Sequence, residues 1–246
     1  MAWSFSLPAG ESCPMIRADD ESFICHGCYA QLNRYNMPNV LNAQWVRYMW
    51  TKECLKSPDG MVTWILTMTD CIRSHVRNGY FRGHDSGDFF HPNYAYMWYR
   101  VCKNLPAVRF WFPTRNYPHR GPMGAKWQAV MTLLGGLPNV ALRPSALRYD
   151  DPAPQVPGYS AGTTVVTAIT VVPVNTELCA KTTKGGSCES NGCRTCWNHS
   201  EAVAYLVHGF LGKHTIPNAR SPKIVALRER AKQSFTPLTV AGRSGM

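Results

Sequence analysis

The sequence predicts an α/β protein, a partial (β/α) barrel or open parallel sheet with cysteine-rich metal-binding loops near both ends. Three observations predict it. Short strand-like runs alternate with helical stretches through the middle of the chain, the pattern of parallel β/α units joined by right-handed crossovers. Three cysteines, Cys13, Cys25 and Cys28, lie near one end, and four more, Cys179, Cys188, Cys193 and Cys196, lie near the other. Of the 246 residues, 45% are hydrophobic and 17% charged, a balance that buries roughly three-quarters of the unfolded surface and folds without disulfides.

Residues 1–12 read as extended or loose, and the first cysteine loop occupies 13–30. Val40, Leu41, Trp45, Tyr48, Met49 and Leu55 place a helix over 40–55, closed by Ser57-Pro58-Asp59-Gly60. A second helix over 61–77 carries Val62, Ile65, Leu66, Thr69, Ile72 and Val76 at helical spacing and stops at Asn78-Gly79. Tyr80 to His84 is a short strand. Pro92 suits the first turn of a helix continuing to Leu105. A strand over 108–112, a helix over 125–134 stopped by Gly135-Gly136, and a strand over 139–143 follow. The run from Thr163 to Val172 is the most β-branched in the chain and gives the strongest single strand signal, and a final helix is expected from about Ser200 to Leu211. Four or five strands are too few for an eight-unit barrel, hence a partial one. Functional residues of such folds gather at the C-terminal strand ends, which puts Asp85 to Asp88, Thr114-Arg115 and Pro144-Ser145 on one rim. The Pro-rich stretch 150–162 reads as a loop across that rim.

The cysteine spacings carry the chemistry. Cys-x-x-Cys pairs in a chain with an ample core read as metal ligands rather than cystines. The C-terminal set has gaps of eight, four and two residues, with Gly185, Gly186 and Gly192 between them. It fits a structural zinc knot or an iron–sulfur loop. Three thiolates at the N-terminal set leave a fourth position for another residue, a water or a substrate, and an open position means chemistry where a filled one means structure. Cys54, Cys71 and Cys102 fall in helical stretches, where a cysteine acts as a small buried hydrophobe.

Four elements in this order carry a resemblance: a cysteine loop ending Cys25-His26-Gly27-Cys28-Tyr29-Ala30, then Phe81 to Asp88, then Phe110 to Arg115, then the terminal cysteines closing on Cys196-Trp197. The chain resembles the phage-encoded gene product 88 family over most of residues 5–200, and more distantly it is similar to radical S-adenosylmethionine (SAM) enzymes. The second resemblance implies a partial β/α barrel and a [4Fe-4S] cluster on Cys13, Cys25 and Cys28. It implies SAM bound near Ser86, Gly87 and Asp88, with a second cluster or zinc on Cys179, Cys188, Cys193 and Cys196. One departure is plain: eleven residues separate Cys13 from Cys25, where radical SAM loops have three.

Other residues fit two roles each. His84, Asp85, Asp88 and His91 fit a further metal or acid–base site, or a helix cap with local hydrogen bonds. Thr114 and Arg115 fit a carboxylate or phosphate contact of a bound cofactor, or an ion pair across the barrel mouth. The tryptophans are spread through helices and a strand and read as core.

Residues 1–212 are expected to form one metal-binding domain, with cysteine loops at 13–30 and 179–197, and 213–246 a basic C-terminal extension. The net charge of +11 makes nucleic acid a candidate partner through that extension; a solvated helix and tail is the other reading. The substrate, small or macromolecular, is not legible. No run of about 18 apolar residues suggests a membrane span, and the N-terminus lacks the charge and apolar run of a secretory leader. A cytoplasmic protein, in the host cell if phage-encoded, is expected. Walker, Gly-x-Gly-x-x-Gly, His-Glu-x-x-His and Gly-x-Ser-x-Gly motifs are missing, which argues against nucleotide-hydrolysing, Rossmann, zincin and hydrolase classes.

Overall fold

Strand β1, Trp3–Phe5, opens the chain, and helices α1, Pro38–Cys54, and α2, Pro58–His75, carry it to strand β2, Tyr80–Gly83. Then α3, Pro92–Asn104, β3, Arg109–Thr114, α4, Gly124–Gly135, and β4, Val140–Pro144, complete two β/α repeats. The computed structural model describes residues 3–14, 22–31, 33–117 and 122–207, with positions 226 and 229 besides. The final stretch of the expected helix, 208–211, and nearly all of the basic extension lie outside the described residues.

Strands β1 to β4 form a parallel sheet in the order β1-β2-β3-β4. Phe81 registers with Trp3 on one side and Phe110 on the other, and Phe110 with Val140. An order without reversal, joined by right-handed crossovers, puts every connecting helix on the same side. Side chains confirm it. Phe5, Phe81, Phe110, Phe112, Val140 and Leu142 share one core with Leu41, Trp64, Ile65, Trp98, Val101, Met131 and Leu134 of α1 to α4. Trp64 is fully buried and meets Phe5, Tyr94 and Trp98 edge-on. Gly83 lets β2 pass the Phe112 ring, which a Cβ there would overlap.

Because side chains alternate along a strand, Tyr80, Arg82, Trp111, Ala141 and Arg143 face the other way. That face is covered by the C-terminal part of the chain. Strands β5, Thr163–Val166, β6, Thr176–Leu178, and β7, Ala202–Leu206, form a second parallel sheet ordered β5-β7-β6. Ser145 bridges to Thr163 in parallel fashion and links the two sheets. A five-residue helix α5, Ala180–Lys184, follows the first cysteine of the loop.

The helices and first strands lie within a few residues of the sequence expectation. The opening residues, expected to be extended or loose, are extended over Trp3–Phe5 and pair as β1. Three elements differ. The long β-branched run is a strand only over Thr163–Val166, and a 3-10 turn occupies Ile169–Val171. Residues 202–206 are strand β7, not the start of a helix: Val203 and Ala204 are buried between β5 and β6, and pairing on both sides outweighs local preference. Strand β6 separates the β-branched run from the cysteine loop. The architecture is mixed α/β with two parallel sheets, and no single ladder closes a barrel among the described residues. The loop 150–162 returns along the edge of β4, where Ser160 N donates to Leu142 O and Gly158 abuts Gly135, rather than crossing the rim.

Candidate metal centres

The loop after β1 carries Cys13, Cys25 and Cys28 and lies over the C-terminal ends of β1 to β3. It is tied to the β2 loop at several points. Leu7 N donates to Ser86 O, Ser86 Oγ to Leu7 O at 2.7 Å, and Asp88 N to Ser12 O at 3.2 Å. Gly87 stands at φ +83°, and a Cβ there would come within 2.4 Å of Ser12 Oγ and 2.7 Å of Leu7 Cβ. Ser86-Gly87-Asp88 thus places the Cys13 loop. Asp88 is buried, and Thr114 Oγ1, Phe89 N and Arg115 N all donate to its carboxylate, at 2.7, 2.7 and 2.9 Å. Burial raises its pKa against the pull of those bonds.

Arg115 completes the rim. Its Nε donates to Ala146 O at 2.9 Å, and its positive charge opposes the burial penalty on Cys25 and on Asp88. Burial drives the Cys13 thiol well up, reinforced by Asp88 and Cys28; burial also raises Cys25, opposed by Arg115. These thiols are protonated at neutral pH in the free protein, so a metal that binds them displaces protons.

The four-cysteine loop presses on the inner face of the first sheet. Trp197 stands edge-on to Trp111 and Tyr80, with centroids 5.2 and 5.5 Å apart, and its Nε1 donates to Phe81 O. Cys179 and Cys196 are buried in the cluster with Trp111, Trp197 and Val203, and Cys188 packs beside it. The Cys196 thiol lies 3.3 Å from Tyr205 Oη, and burial pushes it up to about 11. Burial likewise raises Cys188, next to Cys179 and Cys193.

Arg143 anchors this loop. It is fully buried, and its guanidinium donates to five backbone carbonyls: Cys196 from Nε, Ala161 and Glu201 from Nη1, Thr195 and Asn198 from Nη2, all at 2.7–2.9 Å. All five donors of the fork are used.

All ten cysteines are free thiols. Each thiol of the two sets that has a resolved shift feels the charge of at least one neighbour in its set or of Arg115. Among the described residues, however, no group of three or more His, Cys, Asp or Glu is drawn together in a geometry that holds a metal ion. The donor chemistry fits a soft metal or an iron–sulfur cluster.

The remaining sequence candidates are placed apart. His84 faces the core at φ +55°, its Nε2 2.9 Å from Tyr94 Oη and its ring edge-on to Phe89. Asp85 pairs with Arg82 at 2.7 Å and accepts from Tyr35 Oη at 2.8 Å. His91, not an aspartate, caps α3 by accepting from Asn93 N. These four residues make no common site. Thr114 and the Arg115 backbone hold Asp88. Cys54 and Cys102 are buried as expected, whereas Cys71 is exposed. Sequence reasoning missed Arg143, Arg82, Trp111 and Tyr205. An arginine directly after the apolar run Val140 to Leu142, within the strand Val140–Pro144, was the available signal for Arg143.

Residues 1–200 match the family described as Gene product 88. The Gene 88 protein of Mycobacterium phage L5 is 35% identical over 127 residues, covering 47% of this chain and 48% of that protein. The Gene 88 protein of Mycobacterium phage D29 is 33% identical over the same length and shares. The chain thus spans about half the length of the curated relatives it matches. No solved structure matches.

Proposed function

The chain belongs to the gene product 88 family of phage proteins, and we propose that it is an iron–sulfur protein whose three-cysteine loop holds a [4Fe-4S] cluster. The observation that carries the reading is the placement of Cys13, Cys25 and Cys28, free thiols at the C-terminal rim of an unreversed parallel sheet, beside the half-buried cation of Arg115. A cluster on three thiolates is negative overall, and the Arg115 guanidinium offsets that charge.

Such a cluster, when bound, supplies one-electron transfer, and an iron without a protein ligand gives SAM a place to bind. The residues of the chain position it. Ser86 and Gly87 fix the Cys13 loop, Thr114 and the Arg115 backbone hold Asp88, and Arg115 restrains Cys25. Asp88 Oδ2, with one donor assigned to it, keeps acceptor capacity toward the methionine amine of SAM. The four-cysteine loop takes a second cluster or zinc as a closed centre. Ten free thiols suit the reducing cytoplasm of a host cell. Among the described residues no helix is long and apolar enough to cross a membrane.

The test is metal and acid-labile sulfide analysis of anaerobically purified protein. Brown protein that loses iron and sulfide on Cys28→Ser is expected. Colourless protein holding zinc alone overturns the reading and leaves a structural zinc protein that binds nucleic acid through its basic residues. Reductive cleavage of SAM to 5′-deoxyadenosine, lost in Cys28→Ser, distinguishes radical chemistry from electron transfer alone.

A further inference from the structure

Two N–H groups stand buried and without acceptors where the four-cysteine loop meets the sheet. Trp111 is 6% exposed, and among the described residues neither its Nε1 nor Arg82 Nε, both buried atoms, has a hydrogen-bond partner. The two are neighbours, the Arg82 guanidinium lying 4.5 Å from the centre of the Trp111 ring. Both face the cysteines. Trp111 shares its apolar cluster with Cys179 and Cys196, and the charge of Arg82 acts on Cys188. Elsewhere the Arg82 guanidinium pairs with Asp85 through Nη1.

A buried donor left without an acceptor is unfavourable, and native proteins leave few. Neutral thiols are weak acceptors. Thiolate sulfurs bound to a metal are strong ones, and N–H bonds to such sulfurs tune the centre. Four thiolates around a divalent ion leave the centre doubly negative. Arg194, whose guanidinium lies 4.8 Å from the Tyr80 ring, and Arg143, whose charge acts on Cys196, stand with Arg82 around the loop.

We propose that Trp111 Nε1 and Arg82 Nε donate hydrogen bonds to the sulfurs of a tetrathiolate metal centre formed by Cys179, Cys188, Cys193 and Cys196. The proposal rests on the reading that this loop binds metal. Trp111 and Arg82 are positioning residues: they touch no metal, and they set the charge and orientation of the sulfurs that do.

The experiment titrates full-length protein, with the rim site disabled by Cys28→Ser, with cobalt(II) alone and then with zinc(II) in competition against a chromogenic chelator. Trp111→Phe keeps the ring packing and removes the N–H. The expected result is one tetrathiolate-type cobalt spectrum in both proteins, with affinity reduced roughly 10- to 100-fold in Trp111→Phe, and a similar loss in Arg82→Met. Equal affinities, with cobalt still bound through four sulfurs, overturn the donor assignment and leave the metal site standing. Failure of the parent to bind cobalt, or binding unchanged by Cys193→Ser, overturns the metal reading beneath it. Should Trp111→Phe fold poorly, the indole N–H of Trp111 in the parent gives an independent readout. Its proton resonance moves downfield on zinc addition if it donates to sulfur, and an unmoved resonance overturns the proposal.

Discussion

The two cysteine loops are fastened to the same sheet by opposite means. The inner-face loop is held by a buried guanidinium whose five donors all meet its backbone or the adjacent chain, and by Trp197 wedged against Trp111 and Tyr80. The rim loop is held by backbone bonds to Ser86 and Asp88, by one serine hydroxyl, and by the close pass of Gly87 against Leu7 and Ser12. The first arrangement is saturated; the second leaves thiols half-exposed beside a cation. The contrast teaches that cysteine count does not identify the working site. The four-cysteine set is the better anchored and the three-cysteine set the more open, and openness is what chemistry requires.

The largest effect that can break this contrast is removal of Arg143. Arg143→Met leaves buried carbonyls without donors and should cost about 3–5 kcal/mol, read as a fall in the midpoint of thermal unfolding with loss of the Trp197 environment in fluorescence. Arg143→Lys keeps the charge but offers three donors in place of five, so it recovers only part. If both variants unfold like the parent, the inner loop is not held as described.

A second test loads the rim side alone. His84 is buried beside Tyr94, Phe89 and Phe112, and burial followed by the charge of Arg82 lowers its pKa from 6.5 to about 3. Above pH 6.5 the ring is neutral in folded and unfolded chains and contributes no slope. Below that the unfolded chain takes a proton that the folded one refuses, so stability falls with pH between about 6.5 and 3, by up to about 1.4 kcal/mol per pH unit. His84→Asn, which tolerates a positive φ, should lower baseline stability and flatten that slope in denaturant titrations at several pH values. An unchanged slope assigns the acid sensitivity elsewhere.

How much of this was legible in the sequence follows from the same contrast. Helices α1 to α4 and strands β2 to β4 repeat apolar residues at the period of their own element, so pattern alone placed them. Strand β7 did not declare itself, because Ala202 to Leu206 is paired with neighbours on both sides, is buried only at Val203 and Ala204, and carries no alternation. Likewise the run from Thr163 to Val172 is β-branched throughout, yet beyond Val166 it lacks a partner strand and turns into exposed 3-10 structure. The cysteine sets were legible from spacing. Their fastenings were not, since Arg143, Trp111 and Arg82 lie 53 to 106 residues from the cysteines they serve. Such partners are brought together by sheet register, which local pattern does not encode.

Gly87→Ala sharpens the rim half of the comparison at intermediate size. An alanine at φ +83° with its Cβ against Leu7 costs about 1–3 kcal/mol. The expectation is that metal bound at Cys13, Cys25 and Cys28 is lost or weakened while metal bound through Cys193 is retained, measured by stoichiometry in the Gly87→Ala protein with and without Cys193→Ser. Equal losses at both sites would mean that the Gly87 contact supports the whole fold rather than the rim loop.

Asp85→Asn has the smallest expected effect and touches a place where the two regions meet. Arg82 pairs with Asp85 on the rim side and stands over Trp111 on the inner side. The side chains of the pair are about one quarter exposed, 26% and 28%, so solvent screens the interaction and its loss should cost about 1 kcal/mol or less. The asparagine still accepts from Tyr35, which limits the damage to the charge. Released from its carboxylate, Arg82 is free to turn its charge toward Cys188. Asp85→Asn should therefore leave cobalt affinity at the four-cysteine loop equal to the parent or modestly tighter, while Arg82→Met weakens it. A loss of affinity in Asp85→Asn as large as in Arg82→Met would show that the ion pair, and not the arginine alone, orders the inner loop, and the two cysteine regions would then have to be treated as one unit.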